Sequence, residues 1–387
     1  MGERVLSRLR PGDYRLPDEL VGRLLTPALV IYIDLVRDNL RRVIDRAGGE
    51  VDRLRIHVKT AKIPAVFAEL VAAGIRNYKC ATLREARELL QVLHDRQVTA
   101  SDLLVAYPLR EPALGQAAEL ARRFPATRLS VLCEDPTNLR SIPEELSVFV
   151  DVNPGMNRTG VPAADEARIT ELARAAAGRF RGLHYYDGHV HGKDAAERRA
   201  MAHDGYGRLV GLTERLLRRS LPVGEIVTSG TPAFVHALGF DPLRSFDHTV
   251  HRVSPGTVVY HDARYALELD ELELTPAALV WTRVVSRPAD EIATCDAGSK
   301  SIAAEAGDPC ALVVGHPDYR ALRPSEEHLP LAVPPADAPR LGAMLTLIPR
   351  HVCPTVNLAE QALLVERGRS PRVVSVSARA HDLIAGE

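Results

Sequence analysis

The length, composition and charge of the chain exclude several classes of protein. Its 387 residues are 46% hydrophobic and 26% charged, which is the balance of a soluble globular protein. The formal net charge of -1 offers no overall attraction to nucleic acid or to an anionic membrane. The length exceeds that of one ordinary hydrophobic core, so we expect two domains.

The cysteines and the amino terminus indicate the cellular compartment. The five cysteines are scattered and form no CxxC pair, which argues against a disulfide framework. Residues 1–8 lack the apolar core of a signal peptide, and no apolar stretch is long enough to span a bilayer. We therefore expect a cytoplasmic protein with no membrane partner.

Predicted strands and helices alternate through the first two thirds of the chain. An apolar strand is expected at residues 28–34, and a helix follows at 36–47. Eight short apolar runs then alternate with amphipathic segments, which predicts parallel strands. Eight units permit closure into a (β/α)8 TIM barrel, and an open doubly wound sheet is the alternative. The eight runs are residues 54–59, 77–81, 103–107, 128–133, 147–152, 182–186, 225–229 and 250–255.

The pattern changes after about residue 260. Short apolar segments follow one another with Pro- and Gly-bearing turns between them and with little helix. The sequence therefore predicts a second, mostly β domain. Its expected strands are residues 277–286, 291–295, 311–315, 340–348 and 372–377.

Lys59 ends the first of the eight runs. Apolar and polar residues alternate from Leu54 to Lys59 with the period of a strand, and a helix can begin at Pro64. The amine of such a lysine can condense with an aldehyde once burial or a neighbouring cation lowers its pKa. A solvated lysine at the end of a strand is the alternative.

Other candidate groups follow later strands, where a barrel carries its catalytic residues. Arg158 follows the fifth run and could hold an oxyanion or a phenolate through its fork of donors. His189 and His191 follow the sixth, face the same way if that segment is extended, and could act as acid and base. Surface arginines and solvated loop histidines are the alternatives.

A possible phosphate site follows the seventh and eighth runs. Gly230 lets backbone amides approach an anion, and Thr231 can cap a helix that opens with Pro232. The segment 254–257 could complete the site. Plain turns would use the same residues equally well.

His351 and Cys353 form a candidate metal site of a different kind. In an extended segment, residues two apart point to one side, so an imidazole and a thiolate can reach one divalent ion. Two protein ligands leave positions open for water and substrate, as catalysis requires. A core cysteine beside a hydrogen-bonded histidine is the alternative.

Taken together, these segments resemble the D-threonine aldolase and D-serine dehydratase family, which are pyridoxal-phosphate enzymes of the alanine racemase fold type. The resemblance runs from about Pro27 to the end of the chain and depends on the order and spacing of its motifs. The motifs are HVKTAK (57–62), NRTG (157–160), YDGH (186–189), SGT (229–231), SPGT (254–257), DAGSK (296–300), SEEH (325–328) and HVCPTVN (351–357).

The resemblance implies a role for each matching residue. Lys59 would bind the aldehyde of pyridoxal phosphate, and His351 and Cys353 would hold Zn²⁺ or another divalent metal such as Mn²⁺. It also implies a barrel at residues 35–258, a β domain at 1–34 and 259–387 that carries the metal ligands, and a homodimer. The remaining cofactor-binding residues would be His57, Arg158, Tyr186, Ser229, Gly230, Thr231, Gly256 and Thr257.

Two positions depart from the family pattern. The family usually has proline before the histidine and histidine after the threonine of the lysine motif, whereas this chain has Ile56 and Ala61. The second change removes a polar group close to the active lysine in the sequence. We therefore expect a substrate preference or a rate that differs from those of the family.

The same residues permit two reactions of a D-3-hydroxy amino acid. If Lys59 removes the Cα proton while the metal stabilises the departing hydroxide, the products are a 2-oxo acid and ammonia. If His189 or His191 removes the hydroxyl proton, the Cα–Cβ bond breaks in a retro-aldol reaction. The cysteine ligand resembles the dehydratase branch, which favours elimination. An amino-acid racemase and a non-catalytic pyridoxal-phosphate-binding protein are further alternatives.

Overall fold

The chain divides into two compact units. The computed structural model describes residues 6, 9, 11–192 and 194–384. The expectation of no signal peptide depends on residues 1–8, and most of these lie outside the described residues. The barrel unit contains Val43–Lys59, Phe67–Gly256 and the described residues from Ala380 onward. The β unit contains the described residues up to Arg42 together with Thr60–Val66 and Thr257–Arg379.

The strands and helices have the following bounds. The strands are β1 (Ala28–Tyr32), β2 (Arg55–His57), β3 (Asn77–Cys80), β4 (Ser101–Val105), β5 (Thr127–Cys133), β6 (Ser147–Asn153), β7 (Val161–Pro162), β8 (Phe180–Tyr185), β9 (Glu225–Thr228), β10 (Val250–Val253), β11 (Ala278–Ala289), β12 (Ile292–Cys295), β13 (Ala311–Val313), β14 (Arg320–Ala321), β15 (Leu329–Ala332), β16 (Met344–Pro349), β17 (Gln361–Val365) and β18 (Arg372–Ser375). The α-helices are Asp18–Val21, Ile33–Arg46, Pro64–Ala72, Leu83–Asp95, Ala113–Arg123, Pro136–Ser141, Glu166–Ala176, Ala195–Arg218, Phe234–Leu238, Ala263–Glu268 and Val352–Leu358.

The barrel unit is built on eight parallel strands. Their order is β10-β9-β8-β6-β5-β4-β3-β2, and helices follow most of them along the chain. Leu54, just before β2, forms a parallel bridge with Val253 of β10, which brings the first and last strands together. Each of the eight predicted runs overlaps one barrel strand. The predicted (β/α)8 barrel is therefore confirmed, because an open sheet would leave these two strands apart.

Buried ion pairs fill the amino-terminal end of the barrel. Arg55, the first residue of β2, is 0% exposed, and its Nε lies 2.7 Å from Glu225 Oε1 of β9. Its Nη1 lies 2.9 Å from Asp102 Oδ1 of β4. Arg252 of β10 contacts the second oxygen of Glu225 at 2.8 Å. A fully buried arginine requires such carboxylate partners, so this end of the barrel is occupied by charge pairs that satisfy one another.

The β unit is organised around β1. This strand pairs antiparallel with β11 and parallel with β17, and β11 also pairs with β16. The sheet order is β14-β15-β12-β11-β1-β17-β18. Trp281 of β11 donates from Nε1 to the hydroxyl of Tyr32 at 2.9 Å, which fixes a large aromatic pair in its core. The predicted second, mostly β domain is thus present.

Within the described residues, every helix is too short or too polar to cross a membrane.

Candidate active site

Lys59 lies at the carboxyl end of β2, two residues beyond its last residue, His57. The His57 N–H donates to Pro255 O at 3.0 Å, and the Val58 N–H donates to Lys79 O at 2.8 Å. These bonds hold the segment between β3 and the residues that follow β10. Lys59 is half-buried, and its N–H donates to Nδ1 of the buried His57 at 3.4 Å. The side chain of Lys59 is therefore attached to a backbone segment that hydrogen bonds hold in place and that neighbouring residues partly enclose.

The ring of Tyr186 contacts two cations of the barrel unit. The guanidinium carbon of Arg158 lies 4.6 Å from the centre of the tyrosine ring, and Nζ of Lys79 lies 5.4 Å from it. Burial and the charge of Lys59 lower the pKa of Lys79 to about 7. The structure thus brings Lys59, Arg158 and Tyr186 into one neighbourhood and adds Lys79, for which sequence reasoning proposed no role.

Asp187 is a second residue to which sequence reasoning gave no role. It is buried in the loop after β8 and accepts hydrogen bonds from the Tyr206 hydroxyl and from the Gly230 N–H. Burial raises the pKa of this carboxyl to about 6. Asp187 therefore ties the loop that carries Tyr186 to the turn that follows β9. Its signal in the sequence was its place in the YDGH motif.

The segment Ser229–Thr231 fits an anionic group such as a phosphate. Ser229 has a positive φ of 61°, and a Cβ on Gly230 would lie 3.0 Å from Tyr186 Cε2, so the backbone closely approaches the ring. Ser254 lies beside this turn because its N–H donates to Thr228 O at 2.9 Å. Both serine hydroxyls are buried with no hydrogen-bond partner among the described residues. Buried polar groups normally have partners, so these two suit a bound ligand.

One detail predicted for this turn is wrong. The next helix is Phe234–Leu238, and its N-cap residue is Ala233 with no side-chain cap. Thr231 therefore does not cap a helix that opens with Pro232. The reason is that the N–H groups of Ala233 and Phe234 both bond to Gly230 O, which closes a tight turn first. Thr231 is nevertheless buried within that turn.

His189 and His191 lie on a turn and the segment after it, so the predicted extended arrangement is wrong. The Val190 N–H donates to Asp187 O at 2.9 Å, which bends the chain at His189. His189 is half-buried with Nδ1 unpartnered among the described residues, and burial lowers its pKa. His191 is exposed. Of the two, His189 has the more enclosed imidazole.

His351 and Cys353 also differ from the extended arrangement that was predicted. His351 is the N-cap residue of the helix Val352–Leu358, and Cys353 lies in its first turn. The helix begins here because the Val352 N–H finds an acceptor in Asp262 Oδ2 at 3.2 Å, a partner remote in sequence. The imidazole still interacts with the Cys353 side chain, so the two predicted ligands remain neighbours.

The surroundings of this pair fit a metal site with two protein ligands. His351 Nδ1 contacts the Glu305 carboxylate, an arrangement that orients metal-binding histidines and leaves Nε2 available. Cys353 Sγ lies 3.0 Å from Thr60 Oγ1 and 3.6 Å from Thr257 Oγ1. Among the described residues, no three His, Cys, Asp or Glu side chains converge as a complete ligand set. An imidazole and a thiolate are ligands that zinc accepts, with the other positions open.

Comparisons with known proteins agree with this geometry. Residues 31–264 match the family described as alanine racemase, N-terminal domain, and residues 277–365 match the putative serine dehydratase domain. A D-threonine aldolase from Arthrobacter sp. is 29% identical over 98% of this chain and 99% of its own length. A D-threo-3-hydroxyaspartate dehydratase from Delftia sp. is 27% identical over 61% of each chain.

A solved structure supports the same grouping. The crystal structure of D-threonine aldolase from Filomicrobium marinum superposes with a TM-score of 0.80 at 28% identity, covering 92% of this chain and 95% of that one. These relatives are named as an aldolase and a dehydratase, and they support lyase activity. The chain therefore belongs to the alanine racemase N-terminal domain family of pyridoxal-phosphate enzymes, in the group that contains the D-threonine aldolases and D-3-hydroxyaspartate dehydratases.

Proposed function

We propose that the chain is a pyridoxal-phosphate- and divalent-metal-dependent lyase that converts a D-3-hydroxy amino acid into a 2-oxo acid and ammonia. The observation that carries the proposal is the 3.0 Å contact between Cys353 Sγ and Thr60 Oγ1, because Thr60 is peptide-bonded to Lys59. The chain itself thus joins the candidate cofactor lysine to a residue that touches a candidate metal ligand.

Residues at and after the ends of the barrel strands would hold the cofactor. Lys59 would bind its aldehyde, Arg158 its phenolic oxygen, and the hydroxyls of Ser229 and Ser254 with the backbone of Gly230 its phosphate. Tyr186 would line the ring, with His57 on the neighbouring backbone and Thr231, Gly256 and Thr257 completing the set. When bound, pyridoxal phosphate is an electron sink that weakens the bonds at the substrate Cα.

In the proposed reaction, Lys59 removes the Cα proton and holds it at Nζ. His351 and Cys353 would hold the divalent ion, whose Lewis acidity favours departure of a β-hydroxyl group. Glu305 fixes the orientation of the imidazole, and the hydroxyls of Thr60 and Thr257 fix that of the thiolate.

Retro-aldol cleavage is the second candidate. The similarity to the Arthrobacter D-threonine aldolase along 98% of this chain favours it. In this case a base removes the proton of the β-hydroxyl group, the Cα–Cβ bond breaks, and the products are glycine and an aldehyde. His189 is the better candidate for that base than His191, because it is half-buried with an unpartnered Nδ1 among the described residues.

Product analysis separates these reactions. The metal-loaded enzyme is incubated with D-serine and with D-threonine. Pyruvate and 2-oxobutyrate with ammonia would indicate elimination, whereas glycine with acetaldehyde from D-threonine would indicate cleavage. A racemase would stay active after chelation of the metal and would interconvert enantiomers. No turnover of any D-3-hydroxy amino acid would refute both lyase reactions.

The metal site has its own test. Replacement of Cys353 by alanine should remove bound zinc, measured as metal per chain, because a single histidine holds the ion poorly. His316→Ala is the matched control, since His316 lies in the same unit but pairs with Asp337. Equal zinc content in the Cys353→Ala variant and the control would exclude Cys353 as a ligand.

The family resemblance also supports a homodimer, and the five scattered cysteines, which form no CxxC pair, support a cytoplasmic location. Light scattering of the purified chain tests the first proposal, and fractionation of cells that express it tests the second. A monomeric mass, or recovery outside the cytoplasm, would refute the corresponding proposal.

A further inference from the structure

Lys79 is a deeply buried lysine that forms no ion pair with a carboxylate of the described residues. Its side chain lies on β3 and the residue is 2% exposed. Buried lysines are normally neutralised by an ion pair, yet none is formed by Lys79 within the part of the chain that the structure describes. Its Nζ lies 5.4 Å from the centre of the Tyr186 ring. The amine of Lys79 therefore lies in the site without an ion-paired carboxylate.

The neighbours of Lys79 increase the local positive charge. The Glu225 carboxylate is already paired with Arg55, and the Asp151 carboxylate is bound to His184 Nδ1 at 2.7 Å. Neither carboxylate is therefore left to pair with Lys79. Asp187 is a carboxylate that favours the charged form of Lys79, and it also accepts hydrogen bonds from the Tyr206 hydroxyl and the Gly230 N–H. The titratable and charged groups that act on Lys79 from the elements around it are Lys59, Arg55, Arg158, His184 and Asp187.

We propose that Lys79 is a positioning residue that, together with Arg158, holds the phenolic oxygen of the bound cofactor in its anionic form. The two cations contact the same ring of Tyr186, so an anionic oxygen near that ring would meet both. The phosphate has its own candidate site at Ser229 and Ser254. The inference rests on the proposed function, because the anion belongs to the proposed cofactor.

Cofactor binding should then be coupled to proton uptake by Lys79. Burial and the Lys59 charge lower the pKa of Lys79 to about 7 in the chain without a bound anion, so above neutrality most molecules hold a neutral amine there. A phenolate beside Lys79 favours the ammonium form and raises this pKa again. Affinity for the cofactor should therefore decrease as the pH rises from 7 to 9.

The test uses the cofactor-free full chain titrated with pyridoxal phosphate and followed by absorbance, with Lys79→Met as the variant. We expect roughly 10- to 100-fold weaker binding, which corresponds to the loss of one charge-assisted hydrogen bond. The bound cofactor should also lose part of its long-wavelength band, and the dependence of its affinity on pH should be reduced. Lys300→Met is the matched control, because Lys300 is exposed and pairs with Glu326 and Glu327.

A second variant separates charge from packing. Lys79→Arg keeps a cation at all pH values used. The cofactor bound to this variant should therefore retain the long-wavelength band that the unsubstituted chain shows. An unchanged dissociation constant and an unchanged band in Lys79→Met would overturn the inference while leaving the proposed function intact. If the parent chain itself shows no band that borohydride removes, both the cofactor assignment of Lys59 and this inference fail.

Discussion

Replacing Lys79 by methionine should stabilise the cofactor-free chain, even though it weakens cofactor binding. Burial and the Lys59 charge lower the pKa of Lys79 from 10.5 to about 7. Each pH unit of such a difference corresponds to about 1.4 kcal/mol, so a charged Lys79 costs on the order of 5 kcal/mol of folding free energy. Methionine has a similar length and no charge, so it removes this cost and keeps most of the packing.

The dependence of the stability difference on pH shows whether burial of the Lys79 charge causes it. Below pH 7 Lys79 is protonated in both the folded and the unfolded chain, so the folded chain bears the full free-energy cost of a buried charge. Between pH 7 and 10.5 the folded chain holds a neutral amine while the unfolded chain binds a proton, so the stability of the parent chain rises with pH. The advantage of Lys79→Met should therefore fall to about 2 kcal/mol at pH 9.

Urea denaturation at pH 6.5 and pH 9 measures this difference. Far-UV circular dichroism is the suitable signal, because the one tryptophan, Trp281, lies in the β unit and would not report on the barrel. Lys300→Met should leave the free energy of unfolding nearly unchanged, since its ion pairs are exposed. If Lys79→Met is less stable than the parent chain at both pH values, or if its advantage does not depend on pH, the reasoning from desolvation is wrong.

Two further changes test the site and the barrel. Tyr206→Phe removes the hydroxyl donor to Asp187, so the pKa of the Asp187 carboxyl, followed by NMR of its side-chain carbon, should rise above about 6 by roughly one unit; an unchanged pKa would mean that this hydrogen bond does not stabilise the carboxylate. Gly182→Ala should abolish soluble expression, because its Cβ would lie 1.8 Å from the carbonyl oxygen of Glu225 on the adjacent strand, whereas Gly178→Ala meets nothing within 4 Å and should fold normally. Normal yield of both variants would contradict the tight β8–β9 packing.

The barrel could be predicted because its strands are buried on both faces. Such strands appear in a sequence as short continuous apolar runs, and the run at 225–229 contains β9, Glu225–Thr228, for this reason. The position of Lys59 could be predicted as well, since a barrel places functional groups after its strands. Both inferences use patterns that lie within a few residues of the feature they predict.

The errors arose where a distant residue decides the local structure. Val352 begins a helix because Asp262, ninety residues earlier in the chain, accepts its N–H, and no local pattern at His351 reports that partner. Lys79 was given no role for a similar reason. Within the run 77–81 it is one of two polar residues, with Asn77, and its importance follows only from Tyr186 and Arg158, which other strands bring beside it.

The central position of β1 in the β unit has a consequence for biosynthesis. Val30 pairs with Leu279 on one side and with Leu363 on the other, more than 300 residues later in the chain. At roughly 5 to 20 residues per second, the ribosome needs on the order of half a minute to deliver that second partner. During this interval an apolar strand has an open edge, which is a template for pairing with another chain. Nascent chains of this protein should therefore depend on chaperone protection of residues 28–32 more than on any help with the barrel, whose neighbouring strands emerge one after another.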